Sequence, residues 1–391
     1  MAPRATSRRE AGPVIMKKKT TLIVLPTPWD APQLESCRAR WEDRHAYAFG
    51  GPSDESRPWD FDPVAFIAAT ARDAGGRIDG VASASDYPGA TCAAAIAARL
   101  KLPGPSPGAV IRASHKYYSR LAQRDAVPEA TPGFTLVDPA DPGAALATIR
   151  FPCFIKPVKG AFSMMARRLD SEAEYREFLG RPAVHRFIGD YMQVFNRLVA
   201  ELTSLDVNGS FFLAEDLLRG RQVTVDGYAS GDEVVILGVV DSVLHPATGS
   251  FERFDYPSSL DAAVQERMAG VAERAVRALG LTDALFNIEM VHDPATDRIG
   301  IIEINPRISG QFGDLHQHVD GVNTYEILLD LATGVKPRGG AGGGGAAPGA
   351  AGSAGGGPGT VAASFPLRTY EPVRVVRAPD AQEARTTRSG S

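Results

Sequence analysis

The chain has 391 residues, 44% of them hydrophobic and 23% charged, with a formal net charge of −4. That length exceeds the roughly 250–300 residues at which a single core stops growing, so two or three packed units are expected. The slightly acidic balance gives no footing for nucleic acid or an anionic membrane surface, and no apolar run approaches the ~20 residues of a spanning helix.

Residues 1–19 read as a disordered extension, in which basic residues precede Leu22-Ile23-Val24-Leu25. That apolar run is too short for a signal-peptide core. Thr20–Leu25 is a buried strand ended by Pro26, and Asp62-Pro63 is a helix start with proline at the first helical position. The helix carries Phe66, Ile67 and Ala71 and stops at Gly75-Gly76. Ile78–Ala84 is a second strand and Ala90–Leu100 a second helix, closed by Leu102-Pro103-Gly104. Strands alternating with helices predict a doubly wound, Rossmann-like parallel sheet over residues 20–112. Cys37, Cys92 and Cys153 are far apart and odd in number. They suit neither a disulfide framework nor a zinc site, and fit a reducing, cytoplasmic setting.

After residue 112 the pattern changes to antiparallel sheet. Phe151–Pro157, Phe211–Leu218, Gln222–Ala229 and Val234–Asp241 read as strands, with Arg219-Gly220-Arg221 and Ser230-Gly231-Asp232 as hairpin turns. Val264, Met268, Val271, Ala275 and Leu279 recur at helical spacing. Leu285–Val291 and Ile299–Asn305 are two further strands, and residues 322–333 a helix. Residues 336–360 are rich in Gly and Ala and cannot bury enough apolar surface to offset their ordering entropy, which predicts a flexible linker. Residues 361–391 then form a short segment and tail, with one or two strands between Val361 and Val376.

The chemistry is concentrated in the last strand pair. Side chains alternate along a strand, so Ile301, Glu303 and Asn305 share a face, as do Asn287 and Glu289. Paired as an antiparallel hairpin, the two runs bring Glu289, Glu303 and Asn305 together. Two carboxylates and a carboxamide form a hard oxygen site suited to Mg²⁺ shared with substrate phosphates. Arg307, just past Pro306, is placed to fork onto a phosphoryl or carboxylate oxygen.

Glu289 followed by Ile302-Glu303-Ile304-Asn305-Pro306-Arg307 resembles the metal-binding signature of the ATP-grasp superfamily, nearest its carboxylate–amine ligase and carbamoyl-phosphate-synthase-like branch. The resemblance spans roughly residues 20–335. It implies an N-terminal parallel-sheet (pre-ATP-grasp) domain, then a small ATP-binding subdomain (113–190) and a large one (191–335) built on antiparallel sheets. It further implies that Glu289, Glu303 and Asn305 hold two Mg²⁺ ions, or Mn²⁺ in their place, across the ATP phosphates, and that Arg307 binds phosphoryl or substrate carboxylate oxygens. Ser114-His115-Lys116-Tyr117 matches the segment carrying the first ATP lysine, Lys116. Phe151–Pro157 matches the strand carrying the second, Lys156. Leu213–Gly220 resembles the adenine hinge, with main chain at Asp216 and Leu218 meeting the purine and Glu215 meeting the ribose or the exocyclic amine. Gln222 and Asp226 are assigned either to the nucleotide site or to a solvent-facing strand edge.

Two stretches depart from the family pattern. Lys159-Gly160-Ala161-Phe162-Ser163-Met164-Met165 has one glycine where the family has a Gly/Ser-rich phosphate loop, and the sheet usual after the metal strands is replaced by the linker and tail. Ser309-Gly310-Gln311, His245 and Arg253 are candidate substrate-pocket residues. His316 and His318, two apart, are given no zinc role in the absence of a third ligand. The implied activity is ADP-forming ligation of a carboxylate to an amine, amino acids included, by a homodimer as the default assembly. A small-molecule kinase and a non-catalytic nucleotide binder remain alternatives.

Overall fold

The computed structural model describes residues 17–53, 61–161, 163–338 and 360–366. The extension before residue 17, the linker between 338 and 360, the tail beyond 366 and Phe162 lie outside the described residues.

Strands β1 (Lys19–Val24), β2 (His45–Gly50) and β3 (Gly80–Ala82) form a parallel sheet in the order β2-β1-β3. The predicted helix start is realised: Asp62 Oδ1 accepts from the amides of Val64 and Ala65, each at 3.0 Å, ahead of the helix Pro63–Ala74. That helix and Gly89–Leu100 pack against the sheet through Val24, Ile67, Val81 and Ile96. The opposite side packs on the late helix Thr324–Ala332 through Ile23, Leu34, Tyr325 and Leu331. Sequence patterning missed β2, an edge strand whose Ala48 and Phe49 are exposed and whose alternation is correspondingly weak.

Two antiparallel sheets follow. The smaller has the order β4-β7-β5-β6, from β4 (Phe134–Val137), β5 (Cys153–Pro157), β6 (Arg167–Leu169) and β7 (Phe212–Asp216). The larger has the order β12-β11-β8-β9-β10-β13. Its strands are β8 (Arg221–Ser230), β9 (Glu233–Leu244), β10 (Phe251–Tyr256), β11 (Ala284–Asp293), β12 (Arg298–Asn305) and β13 (Ala362–Ser364). One face of the larger sheet carries Val223, Val225, Ile288 and Met290, which meet Met268, Val271 and Ala275 of the helix Ala262–Leu279. The other face carries the polar residues described below.

Ser230-Gly231-Asp232 is the expected hairpin, closing with Ser230 opposite Glu233. Arg219-Gly220-Arg221 is not a hairpin: β7 and β8 belong to different sheets, so the segment crosses between them. Its glycine has a different cause. Gly220 sits at φ +121° with its α-carbon against the carbonyl of His292, a position that excludes a β-carbon.

Candidate active site

The β11–β12 hairpin sets Glu289 directly opposite Glu303 and Asn287 opposite Asn305, as the alternation predicts. A bulge follows: Met290 pairs with Ile301, leaving Ile302 without a register partner. The extra residue resets the alternation, so Ile301 joins Ile304 in the core instead of sharing the face of Glu303. Because β12 is an edge strand, its outward carbonyls have no neighbouring ladder. Side chains meet them instead: Lys156 Nζ donates to Ile302 O at 2.9 Å, and Arg120 Nη2 donates to Ile301 O and Ile302 O, each at 2.8 Å.

Lys156 comes from β5 and Lys116 from the first turn of the helix Lys116–Ala126, so the two cations reach the hairpin from separate elements. Lys116 Nζ lies 2.9 Å from Glu303 Oε2. Burial alone would raise the Glu303 carboxyl, but Lys116, with Lys156 behind it, holds it well below the usual carboxylate range. Glu289 goes the other way, pushed up first by burial and then by the Glu303 charge. Its Oε2 accepts from Gln222 Nε2 at 3.0 Å. Asn305 Nδ2 is spent on Asn287 Oδ1 at 3.0 Å and on Glu303 at 3.4 Å, which leaves Oδ1 as its ligating atom. Carboxylates directly opposite each other repel. Two such carboxylates, with one amide oxygen beside them, form a donor set that fits a hard divalent cation.

Glu215 departs from its expected place. Its carboxylate does not stand open for a ribose: Arg120 Nε donates to Oε1 at 2.8 Å and Lys156 Nζ lies 2.7 Å from Oε2. Despite burial, these two cations keep its carboxyl low. Lys156 in turn is depressed to about 8, first by burial, against the pull of Glu215 and with Arg120 and Lys116 adding to the depression. Asp216 and Leu218 lie where the hinge was expected, lining a cleft of about 200 Å³ with Thr131, Gly133, Ile299 and Gly300. Asp226 is separate from that cleft. It is buried against the helix Gly313–Asp320, with Oδ2 3.0 Å from His316 Nε2, and it faces neither solvent nor that cleft.

Two contributors were missed by sequence reasoning. Arg120 had one signal, its place one helical turn after Lys116 on the same face. Asp86 follows β3, at the carboxyl end of the parallel sheet where open α/β folds place ligands. Its Oδ2 lies 3.2 Å from Lys159 Nζ, and its Oδ1 lies 3.5 Å from Arg307 Nε. Burial opposes ionisation of Asp86, yet Lys159 and Arg307 hold its carboxyl at about 2. Lys116, Lys156, Glu289, Glu303 and Asn305 are therefore brought together, Gln222 joins them, and Arg307 stands beside Asp86 and Lys159. Asp226 lies opposite Asn287 in the register and is paired with His316. His245 and Arg253 sit at the β9–β10 end of the larger sheet, with Arg253 Nε paired to Asp255 at 2.9 Å.

Residues 149–314 match the family model described as an ATP-grasp domain. An uncharacterized protein, y4rH, from Sinorhizobium fredii is 28% identical over 242 residues, 60% of this chain and 44% of that protein, so the chain spans less than half the relative's length. The L-amino acid ligase of Bacillus licheniformis superposes with a TM-score of 0.62 at 18% identity, covering 81% of this chain and 75% of that one. Phosphoribosylglycinamide synthetase of Anaerococcus prevotii gives 0.58 at 17%, covering 82% and 76%. The VanG D-Ala:D-Ser ligase of Enterococcus faecalis gives 0.56 at 13%, covering 80% and 95%. The parallel sheet followed by two antiparallel sheets is the fold shared with these structures, and residues 149–314 match an ATP-grasp domain.

Proposed function

We propose that the protein is an ATP-dependent ligase that activates a carboxylate as an acyl phosphate for attack by an amine, releasing ADP and phosphate. The convergence of Lys116 and Lys156 on the Glu289–Glu303–Asn305 hairpin carries this reading, because it sets two ammonium groups beside an oxygen-donor site. A carboxylate resists nucleophiles because of its charge and its poor leaving group. Phosphorylation replaces that leaving group with phosphate, and the work left to the protein is positioning and charge stabilisation. Mg²⁺ held by Glu289, Glu303 and Asn305 would neutralise phosphate oxygens. Lys116 and Lys156 neutralise the nucleotide, and the main chain at Asp216 and Leu218 orients the purine in the cleft. Lys116 must leave Glu303 to do so, exchanging one anion for another.

In this reading residues 20–112 supply Asp86, residues 113–190 the two lysines, and residues 191–335 the hairpin. Arg307 and Asp86 stand side by side with opposite charges, a pairing complementary to the ammonium and carboxylate of an amino acid. The solved relatives named for amino acid ligation support that substrate class.

The test is ADP release with Mg-ATP, pooled carboxylic and amino acids, and hydroxylamine as a surrogate amine. Acid-dependent ADP and hydroxamate are expected, and Glu303→Gln should lower both by roughly 100-fold or more. ADP without hydroxamate would point to a kinase. Near-parental turnover in Glu303→Gln would remove the hairpin from the mechanism.

A further inference from the structure

We propose that Arg120 is a positioning residue for phosphoryl transfer, fixing the bulge of β12 and, through Glu215, aiming the ammonium of Lys156. This rests on the ligase reading above and adds a residue outside the metal hairpin and the nucleotide cleft. Arg120 is 1% exposed and is among the largest fully buried side chains of the described residues. A guanidinium so deep must have its donors met, and here the partners of Nε and Nη2 belong to the candidate reaction centre. Nε and Nη2 fork onto Glu215 at 2.8 and 3.3 Å, and Nη2 also reaches the carbonyls of Ile301 and Ile302. Nη1 donates to Gln123, whose Nε2 donates to Ser119 Oγ at 2.8 Å, so the fork is itself braced along its helix.

The geometry links β12 to the β5–β7 pair, which belongs to the other antiparallel sheet and shares no hydrogen-bond ladder with it. The bulge decides which way Glu303 points, because it separates the register of Glu289 and Glu303 from that of Met290 and Ile301. The bulged residue's carbonyl is held by Arg120 and Lys156 together. Lys156 is gripped between that carbonyl and Glu215, and Glu215 is gripped by Arg120. One planar group thus sets the strand carrying the acids and the carboxylate that sets the lysine. Lysine at this position would keep the charge but would lack the planar fork that meets a carboxylate and two carbonyls at once.

The full-length protein and its Arg120→Lys and Glu215→Gln variants should be compared by thermal unfolding, MgADP binding, and kcat and KM for ATP in the hydroxamate assay. The expected result for Arg120→Lys is a folded protein that binds MgADP within about threefold of the parent, with kcat lowered between about 10- and 100-fold and KM for ATP nearly unchanged. Glu215→Gln, which cuts the link to Lys156 but spares the Arg120–carbonyl bonds, should show the same split. A folded Arg120→Lys with parental kcat would overturn the proposal. So would loss of MgADP binding in step with kcat, or failure of both variants to fold, since either marks a scaffold role only. A parent that binds MgADP yet forms no hydroxamate would defeat the ligase reading instead. In that case the ratio of β,γ-imido-ATP to ADP affinity decides: a fall of about tenfold in Arg120→Lys supports positioning of Lys156, and no change overturns it.

Discussion

Replacing His316 by glutamine removes a buried charge behind the site face. The imidazole is 0% exposed, with Nε2 3.0 Å from Asp226 Oδ2 and Nδ1 4.0 Å from Asp320 Oδ2. The Tyr256 ring stands edge-on at 4.5 Å and donates its hydroxyl to Asp320, while Arg307 is the other cation felt by Asp226. Burial alone would discharge the ring, but the two carboxylates outweigh it and lift its pKa from 6.5 to about 9. At about 1.4 kcal/mol per pH unit, that is on the order of 3 kcal/mol. Burial also raises the Asp226 carboxyl, which offsets part of the gain and leaves ~2 kcal/mol. A histidine raised on folding stabilises fully below its unfolded pKa, and that stability is lost as pH climbs through the folded value. Urea unfolding at about pH 6.5 and about pH 9.5 should therefore show the parent losing ~2 kcal/mol more than His316→Gln across this interval. Equal losses in the two proteins would refute the charged-pair argument, because every other titrating group is common to both.

Glu289→Gln should stabilise the protein in EDTA above the ordinary carboxylate range, since a carboxyl raised on folding costs stability as pH rises past its unfolded pKa. Added Mg²⁺ should raise the parent's melting temperature more than the variant's, and an equal rise in both would remove Glu289 from the metal site. Gly300→Ala would set a β-carbon 2.5 Å from Leu218 Cδ2, forcing that side chain toward the cleft. Calorimetry should then show ATP binding weakened about tenfold with little change in unfolding, and parental affinity would argue that the purine binds elsewhere. Asp86→Asn frees Lys159 and Arg307 from a shared anion. Inhibition by added sulfate should become stronger by several-fold, and an unchanged inhibition constant would show that these cations do not form an anion site.

Much of this was legible because the decisive information was local. The acidic hairpin follows from a period of two and a short connection between the two runs, and the helix at Pro63 from an Asx cap and a proline. What escaped was set by contacts distant in sequence. Arg120 lies 95 residues from Glu215 and 181 from Ile301, and nothing in the neighbourhood of any of them announces the others. The partners of Glu215 escaped for the same reason, since its cations arrive from other elements. The Arg219-Gly220-Arg221 error has a different origin. Glycine marks both a turn and a close backbone approach, and alternation on either side cannot distinguish a return within one sheet from a step to the next.

The bonds from Arg120 and Lys156 to the outer edge of β12 also limit how the two antiparallel sheets can separate. Lifting one sheet from the other would break the bonds of Arg120 and Lys156 to the β12 carbonyls at once. That joint is a weld rather than a hinge. Under the proposed function a nucleotide's route is then sideways, along the cleft lined by Gly133, Leu218 and Gly300. Access would be governed by the swing of one leucine side chain.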